Sequence, residues 1–353
     1  MPAGVWSSYG VGWGTGNATA GNREMAMDII TIISPTDAAT QAAIGRTTTN
    51  SLYHDYSVDA LAATATAGAA EGADWSGVAL SGRTRIQNYV QRFRKDLSVT
   101  DDQIQMSRNG RTIGVDDEMR YQMGKGTKEV TRNGAARLWT VGTATGTGLA
   151  SGNDSGFIGT TAVPDEMRNF HWFARSGGGG AFSAVATNVN GAFGTASFYG
   201  LQAAMWANGA QPDTIFCSMP VKVQISRTLL ADSAPNATLG AASAGLSTVV
   251  NNDVISGGVY APVIDVVRTD YGRVAIVPDR WMPTSGSTAA SGDTFGAAYY
   301  LAERSKMRCA WWKPIQPYTL PPSGPAAKAY ILGAFTTEVL HPQCLGMAYN
   351  VTS

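Results

Sequence analysis

Charged side chains are scarce in this sequence. Lys, Arg, Asp and Glu make up 15% of its 353 residues, against about 25% in an ordinary soluble domain. The 26 basic and 26 acidic residues cancel to a formal net charge of zero. Proteins whose main task is to grip nucleic acid carry a basic excess, so the composition argues against that class. A chain with so little net charge repels itself weakly and associates readily with its own copies.

Cysteine and histidine are almost missing. Cys217, Cys309 and Cys344 are odd in number, widely spaced and outside any C-x-x-C pattern. This disfavours a disulfide framework and a zinc knuckle and suits a reducing compartment; we expect three small buried side chains. The three histidines lack the spacing of a metal-binding pair, and no G-x-S-x-G nucleophile motif occurs. We therefore predict no catalytic residue, no cofactor, no metal site and no enzymatic activity.

Long apolar runs are missing as well. No window approaches the roughly 18 apolar residues of a membrane-spanning helix. Residues 1–16 have neither a basic start nor an apolar centre, which disfavours a signal peptide. Residues 1–21 instead combine Gly and Ser with the rings of Trp6, Tyr9 and Trp13. Such a segment has no core of its own, so we expect an arm that orders against a neighbouring subunit or against its own.

The longest predicted helix runs from Val115 to Trp139. Its apolar residues recur on one stripe, with acidic residues in the first turn and basic residues after them, as the helix dipole favours. Gly124, Gly126 and Gly134 each weaken a helix by about 1 kcal/mol relative to Ala. We therefore expect the glycines where a sheet or a neighbouring subunit approaches closely, or where the helix bends. The apolar stripe consists of Val115, Met119, Met123, Val130 and Leu138.

A long protruding hairpin is predicted before that helix. Residues 47–61 alternate as a strand does, with Leu52, His54, Tyr56 and Val58 on one face, and the basic segment 83–100 returns as a second strand. Between them, residues 62–82 have almost no bulky side chain and no hydrophobic period. A loop of that length inside a compact domain implies a functional contact.

The remaining segments predict a mixed α+β lobe. Helices are predicted over 22–33, from 36 to Ile44 with Gly45 as its stop, and over 195–208, whose apolar face is Phe198, Leu201, Met205 and Trp206 and whose stop is Gly209. A buried strand is predicted at 214–219, a hairpin turning at 269–273 with Gly272 at positive φ, and a final strand at 327–340. Residues 221–229 fit a helix or a strand equally well. The glycine-rich segments 141–164 and 176–180 lack the spacing of phosphate loops, so we predict flexible surface there.

A series of short motifs follows one another along most of the chain. They are I-S-P-T-D (33–37), A-I-G-R (43–46), Y-H-D-Y-S-V-D-A-L (53–61), E-G-A-D (71–74), R-I-Q-N-Y (85–89), A-N-G-A-Q-P-D (207–213), D-Y-G-R-V-A-I-V-P-D-R-W-M-P (270–283) and T-E-V-L-H-P (337–342). In this order the sequence resembles major capsid proteins of tailed bacteriophages with the Hong Kong 97-type fold. The resemblance covers nearly the whole chain from Asn22 and is poorest over 141–194 and 284–296.

The resemblance implies an α+β capsid subunit with four parts. They are an N-terminal arm (1–55), an extended loop or E-loop (56–94), a peripheral domain (95–145 with 321–353) carrying the spine helix (115–139), and an axial domain (146–320). In proteins of this fold the E-loop lies over the neighbouring subunit, and loops of the axial domain gather around the five- and sixfold axes.

Candidate residues for contact between subunits follow from that placement. The alternative is a solvated hairpin whose charges meet no other chain. A surface ion pair adds only about 0–1 kcal/mol, so charges here would set register more than strength. The candidates in the arm and the E-loop are Trp6, Trp13, Glu71, Asp74, Trp75, Arg83, Arg85, Arg92 and Arg94.

The resemblance also implies partners. Some shells of this fold are crosslinked by a Lys–Asn isopeptide bond from an E-loop lysine, but residues 57–94 contain no lysine, so we expect noncovalent contacts or a cement protein. The expected partners are copies of the chain itself, a scaffolding protein, a portal and a cement protein. Packaged double-stranded DNA would be touched only weakly and non-specifically, and no membrane is involved. The expected locations are the virion capsid and, during assembly, the host cytoplasm.

The function predicted from the sequence is a major capsid subunit that self-assembles into hexamers and pentamers of an icosahedral phage head around double-stranded DNA. Two alternatives stay open. One is another virion component, such as a tail or adhesin β-protein, which the dominant helix and the few strands disfavour. The other is a nucleotide-binding enzyme, which tight nucleotide binding would revive.

Overall fold

The structure is a computed structural model that describes residues 35, 37–61, 71–72, 82–102, 104, 118–139, 155–157, 165–232, 247–251, 263–282, 299–321 and 324–351. The chain forms two compact units. The smaller unit is built from residues 92–135 and 313–334, and the larger from 39–91, 136–312 and 335–351. No helix among the described residues is long and apolar enough to cross a membrane.

The described chain contains both helices and strands. The helices are α1 (Ala39–Ala43), α2 (Glu118–Arg137), α3 (Phe170–Ser176), α4 (Thr195–Ala207) and α5 (Met219–Asp232). The strands are β1 (Gly45–Thr48), β2 (Tyr53–Val58), β3 (Thr84–Tyr89), β4 (Gln91–Thr100), β5 (Ser155–Phe157), β6 (Glu166–Arg168), β7 (Ala186–Gly191), β8 (Thr214–Cys217), β9 (Ser247–Asn251), β10 (Val263–Thr269), β11 (Gly272–Pro278), β12 (Tyr299–Ala302), β13 (Met307–Thr319), β14 (Ala326–Val339) and β15 (Leu345–Val351).

The long helix predicted from the sequence is α2. Met119 and Val130 of its apolar stripe are buried, and Met123 is partly buried against the same cluster, while Val115 lies outside the described residues. Within the smaller unit, Met119 packs with Val99 of β4 and Ala329 of β14. The helix therefore packs on a sheet that contains the strand before it and a C-terminal strand.

The glycines of α2 have different surroundings. A Cβ added to Gly126 would lie 2.5 Å from Cδ1 of Ile331 and 3.6 Å from a methyl group of Leu97. The sheet thus approaches the helix closely at this position, as predicted. Gly134 is also buried, whereas Gly124 is exposed and a Cβ there would have nothing within 4 Å.

Two larger sheets organise the chain. A four-stranded sheet has the order β1-β13-β14-β4, with β1 parallel to β13. A seven-stranded sheet has the order β7-β15-β12-β8-β11-β10-β9. In its centre β8 pairs with β11 in parallel and with β12 antiparallel, and every residue of β8 and β12 is buried. Such central strands carry apolar residues on both faces because both faces are covered.

One face of the seven-stranded sheet is covered by α4 and α5. Alternate residues of a strand point to opposite faces, and Ile215, Cys217 and Leu301 belong to the same buried cluster as Leu201 of α4 and Ile225 of α5. The predicted helix over 195–208 and the predicted buried strand are thus both present. The segment 221–229, which the sequence left open, is helical in α5.

The opposite face is covered by aromatic side chains. The ring of Trp139, just after α2, lies 5.5 Å from Phe216, 4.5 Å from Tyr300 and 5.4 Å from Phe170 of α3. The indole Nε1 of Trp139 donates to the hydroxyl of Thr40 in α1 at 2.7 Å. The larger unit is therefore a three-layer structure with its sheet in the middle.

The glycines after α3 are part of the core boundary. Asn169 caps the start of α3 by accepting from the backbone of Trp172, and Gly177 ends the helix at φ 60°. Gly177 and Gly178 are buried, and a Cβ on Gly177 would lie 1.9 Å from the carbonyl oxygen of Phe182. The prediction of flexible surface over 176–180 was therefore wrong for these two residues.

Other predicted boundaries need correction. Trp206 was predicted on the buried face of its helix but is 60% exposed. Gly45 does not stop α1; it begins β1. Residues 155–157, within a predicted loop, form β5. The strand predicted as the last one is followed by β15, and the predicted helix over 22–33 lies outside the described residues.

The predicted hairpin around residue 271 is confirmed. Strands β10 and β11 pair antiparallel, with Thr269 opposite Gly272, and Gly272 has φ 131°. This hairpin forms one end of the seven-stranded sheet together with β9.

Candidate assembly hairpin

Strands β2 and β3 form the stem of the protruding hairpin predicted from the sequence. They pair antiparallel from Tyr53 opposite Tyr89 to Val58 opposite Thr84, and we call these two strands the hairpin stem. Because alternate residues share a face, one face carries His54, Tyr56, Val58, Ile86 and Asn88. These five side chains are buried or half-buried. The sequence had predicted the shared face for His54, Tyr56 and Val58.

Asn88 fastens the stem to the rest of the larger unit. Its Nδ2 donates to the carbonyl oxygen of Thr337 at 2.7 Å, to the hydroxyl of Thr337 at 3.0 Å and to the carbonyl oxygen of Arg168 at 3.0 Å. Its Oδ1 accepts from the backbone N–H groups of Arg168 and Tyr89, both at 2.8 Å. Asn88 is fully buried, so every polar atom of its amide is satisfied, as the interior requires.

Arg168 closes the neighbouring side of the stem. Its guanidinium lies 4.3 Å from the ring centre of Trp172 and 5.3 Å from that of Tyr89. The same group donates to the carbonyl oxygen of Gln87 at 2.6 Å. A cation held over two aromatic rings and a carbonyl group restrains the stem in direction as well as position.

The β2 side of the stem contacts the end of β14. His54 Nε2 lies 3.3 Å from a carboxylate oxygen of Glu338, and the hydroxyl of Tyr56 accepts from the backbone N–H of Val339 at 3.4 Å. Burial is the main cause that raises the pKa of Tyr56 well above its usual value, with Glu338 adding to it. Tyr56 therefore stays a neutral hydrogen-bonding group.

A second anchor joins the end of α2 to the strand that follows the stem. Arg137 is buried, and its guanidinium donates to Gln91 Oε1 at 3.1 Å, to Glu166 Oε2 at 3.1 Å and to the carbonyl oxygen of Met167 at 3.0 Å. Gln91 Oε1 also accepts from the backbone of Met167 at 3.3 Å. A buried arginine needs such partners, because an unpaired buried charge is costly.

The described residues beyond the stem are exposed. Leu61, just beyond the stem, is 100% exposed, and Glu71 and Gly72 form an exposed turn. Arg83 on the returning side is exposed as well. The other candidates Asp74, Trp75, Trp6 and Trp13 lie outside the described residues.

The remaining candidate arginines are spread along β3 and β4. Arg85 forms an ion pair with Asp55 across the stem. Arg94, in the smaller unit, pairs with Asp96 at 2.6 Å and lies 5.4 Å from the ring centre of Tyr330. Arg92 is exposed. The structure thus gives Arg85 and Arg94 partners within the chain and leaves their role between subunits a prediction.

The residues that fix the stem were not among the predicted site residues. Asn88, Arg168 and Thr337 carry no charge pattern or spacing that singles them out. Two of them do lie in the motifs R-I-Q-N-Y and T-E-V-L-H-P, and His54 and Tyr56 lie in Y-H-D-Y-S-V-D-A-L. These motifs, far apart in the sequence, meet at one place in the fold.

Burial holds three titratable groups of the larger unit in their neutral forms. Burial raises the pKa of the thiols of Cys217 and Cys309 to about 12, and burial, with Arg175 nearby, lowers the pKa of His171 to about 3. Among the described residues, no group of three or more His, Cys, Asp or Glu side chains could hold a metal ion. The arrangement is suited to holding a protruding hairpin in a fixed direction.

Comparison with known proteins identifies the family and the fold. The family model described as SU10 major capsid protein matches residues 14–352. No curated protein sequence matches the chain. Among solved structures, the capsid asymmetric unit of cyanophage A-1(L) is similar with a TM-score of 0.62 at 11% identity, covering 94% of this chain and 97% of that one.

Two further solved structures are similar over comparable lengths. The capsid of an empty GTA particle has a TM-score of 0.57 at 12% identity and covers 92% of this chain and 100% of that one. The capsid of cyanophage P-SCSP1u has a TM-score of 0.55 at 12% identity and covers 96% of both chains. These likenesses confirm the α+β fold of the Hong Kong 97 type that the sequence predicted. Since the family match spans nearly all of the sequence, the chain belongs to the SU10 major capsid protein family and is a subunit of a phage capsid.

Proposed function

We propose that the chain assembles with its own copies into hexamers and pentamers, which form an icosahedral phage head around double-stranded DNA. The observation that carries the proposal is the contrast within the hairpin. Its stem is fixed by Asn88, Arg168 and Tyr56, while Leu61 beyond the stem is fully exposed. A leucine held out in solvent on a rigid stem favours burial against another copy.

The hairpin acts as the E-loop in this proposal and lies over a neighbouring subunit. Glu71 and Arg83 are exposed and form no ion pair with another described residue, so they are the charges most available to a neighbour. Asp74, Trp75, Arg85, Arg92 and Arg94 add contacts along the same loop. Trp6 and Trp13 extend from the arm onto an adjacent copy.

The four-part division predicted from the sequence belongs to the same proposal. The arm is 1–55, the E-loop 56–94, the peripheral domain 95–145 with 321–353, and the axial domain 146–320. One refinement is supported by strand pairing: β15 pairs with β12 and β7 in the seven-stranded sheet. We therefore assign β15 to the axial domain.

The proposed partners are copies of the chain, a scaffolding protein, a portal and a cement protein, with assembly in the host cytoplasm. Contact with DNA is weak and non-specific, because a chain with zero net charge does not release many counterions on a phosphate backbone. The role is structural rather than enzymatic. Many modest heterologous contacts, each about the size of a standard interface, sum to a stable shell.

Assembly of the purified chain tests the proposal. We expect capsomers or shells in sedimentation velocity and electron microscopy, alone or with a co-expressed scaffolding protein. A second variant replaces residues 62–81 with a short Gly-Ser turn and keeps the whole stem. We expect it to unfold at the same denaturant concentration as the natural chain but to form no shells.

The two measurements separate the function from the role of the loop. A chain that stays monomeric at high concentration, with or without scaffold, and yields no particles contradicts the capsid assembly proposed here. Normal shells from the shortened variant would leave assembly standing and remove the E-loop from it.

A further inference from the structure

The hairpin β10–β11 carries two arginines with no visible balancing charge. Arg268 and Arg273 lie directly opposite each other in the register of the two strands, and both are exposed. Neither forms an ion pair with another residue in the described ranges of the chain. Like charges directly opposite each other destabilise a strand pair, so this arrangement favours a partner that accepts two guanidinium groups.

These arginines point away from the helices. The neighbouring pair, Val267 opposite Val274, is fully buried in the cluster beneath α4 and α5. Thr269 shares that face, and its hydroxyl lies 3.3 Å from Gln202 of α4. Because side chains alternate between faces, Arg268 and Arg273 project from the opposite face of the sheet.

The helix side of the same hairpin carries a partly exposed aromatic cluster. Trp206 of α4 is 60% exposed, and its ring lies 6.4 Å from that of Tyr271 in the turn. Tyr199, two helical turns before Trp206, also lies 6.4 Å from Tyr271. We call Tyr199, Trp206 and Tyr271 the aromatic patch; Asp270 is exposed beside it.

The apolar character of this side extends beyond the aromatic patch. Met219 and Val223, one turn apart on the neighbouring helix α5, are 56% and 42% exposed. Large apolar side chains grouped on one side of a soluble domain mark an interaction surface. The opposite face of the hairpin offers cations instead.

We propose that these two surfaces meet between adjacent copies of the chain. The guanidinium groups of Arg268 and Arg273 of one copy stack on Trp206 and Tyr271 of the next, with the Asp270 carboxylate nearby. Arginine over an aromatic face is a favourable pairing in which the planar cation loses little hydration. This inference rests on the proposed assembly into rings.

The partner of each surface is a second copy of the chain, because the two surfaces complement each other and lie on opposite faces of one sheet. A ring needs such a heterologous contact, in which each subunit offers one surface forward and the other backward. A two-fold dimer would instead place each surface against itself, which would bring four arginines together.

Crosslinking between copies tests the contact. Ala203, between Tyr199 and Trp206 on the same helix stripe, and Arg268 are each replaced by Cys in separate chains, which leaves Trp206, Tyr271 and Arg273 in place. The natural cysteines are buried. After co-assembly and treatment with a short bismaleimide, we expect covalent dimers only in the mixture of Ala203→Cys and Arg268→Cys chains. A chain with both substitutions should give a ladder that ends at the hexamer.

A second measurement uses the strength of assembly. We expect Arg268→Ala/Arg273→Ala, and separately Trp206→Ala, to raise the protein concentration needed for half-assembly by roughly three- to thirtyfold. The matched variants Arg268→Lys/Arg273→Lys and Trp206→Phe keep a cation or a ring and should lose less. Because all three residues are exposed, none of these variants should lower the unfolding midpoint of the free subunit by much. The double alanine variant should leave the midpoint unchanged or raise it, since it removes two like charges that face each other.

The outcomes are distinct. Shells of normal appearance that give no mixed dimers, or dimers within either single variant alone, overturn the contact while the proposed capsid assembly stands. Alanine variants that assemble at the natural concentration also overturn it. Absence of any assembly from the natural chain contradicts the proposed assembly itself.

Discussion

The side-chain amide of Asn88 donates to the carbonyl oxygen of Thr337, 249 positions further along the chain, at 2.7 Å. This bond joins the returning strand of the hairpin to β14, and the same amide holds the backbone of Arg168 on its other side. One buried side chain thereby fixes three separate segments. The direction of the protruding hairpin depends on this junction more than on its own strand pairing, because an isolated two-stranded hairpin is marginal in water.

Replacing Asn88 with Asp should destabilise the free subunit by about 2–4 kcal/mol. The change keeps the size but puts a carboxylate oxygen against the carbonyl oxygens of Thr337 and Arg168, which Nδ2 now satisfies. Urea unfolding of the unassembled chain measures the loss. Asn50→Asp, the same chemical change at an exposed residue before the stem, should cost less than about 0.5 kcal/mol. Equal effects of the two substitutions would show that the amide network does not hold the hairpin.

The two glycines near the start of α2 should respond oppositely to alanine. Gly124→Ala should stabilise by about 0.5–1 kcal/mol, because Gly124 is exposed with open space around it and alanine is the better helix former. Gly126→Ala should instead lower the free energy of unfolding by about 1–2 kcal/mol, because the new Cβ meets buried Ile331.

A double-mutant cycle isolates the contact at Gly126. Ile331→Val removes the Cδ1 atom that the new Cβ would meet. The combined variant Gly126→Ala/Ile331→Val should therefore be more stable than the sum of the single effects predicts, by about 1 kcal/mol in thermal or urea unfolding. Additive effects would mean that Ile331 does not limit the approach of the helix to the sheet.

Stability of the larger unit should fall with acid because of His171. Burial, and then Arg175, lower its pKa from 6.5 to about 3 in the folded chain, so between these values the unfolded state binds the extra proton. The contribution of the neutral imidazole is full above pH 6.5 and is lost progressively as the pH falls toward 3. Between pH 6 and 4 the natural chain should lose about 1 kcal/mol per pH unit more than His171→Gln.

His341→Gln serves as the matched control for that titration. The pKa of His341 is also lowered by burial, with Lys306 adding to it, but the residue is much less enclosed. His341→Gln should therefore change the pH dependence of the unfolding free energy less than His171→Gln does. If the natural chain and His171→Gln lose stability in parallel between pH 6 and 4, His171 is not protonated on unfolding.

Local patterns predicted the helices better than the strands. The 3.6-residue period located α2 and α4, and Gly272 located the turn of β10–β11, because each signal is contained in one short segment. Strand β15 was missed, since Leu345–Val351 is mostly buried on both faces and shows no alternation. In the sequence, Gly346 suggests a break in a strand. In the structure it lies within β15, where a Cβ would lie 2.7 Å from the sulfur of Met205. Only the partner helix explains that glycine.

The site was predicted in outline but not in its chemistry. The length of segment 62–82 and its near lack of bulky side chains predicted a protruding hairpin. The stem of that hairpin lies where the sequence placed it. The anchors Asn88 and Thr337 were not predictable, because a polar residue in a strand says nothing about a partner 249 positions away. The prediction that Trp206 is buried was wrong for a different reason. Helical spacing shows which residues share a face of the helix but not whether another element covers that face. Here no described element of the same unit covers the Trp206 ring.

The three cysteine thiols should be unreactive in the folded chain and equally reactive in the unfolded chain. Burial raises the pKa of each thiol to about 12, with Glu303 adding to the effect at Cys344. At pH 8 the thiolate, the reactive form, is therefore about 10⁻⁴ of each thiol.

Ellman's reagent should detect no fast-reacting thiol in the native subunit and three in guanidinium chloride. Cys344, at 8% exposed the least enclosed, should react first on mild destabilisation, and Cys344→Ser should remove that first phase. A fast phase in the native subunit would show that a thiol reaches solvent, and the crosslinking with bismaleimide would then need that cysteine replaced first.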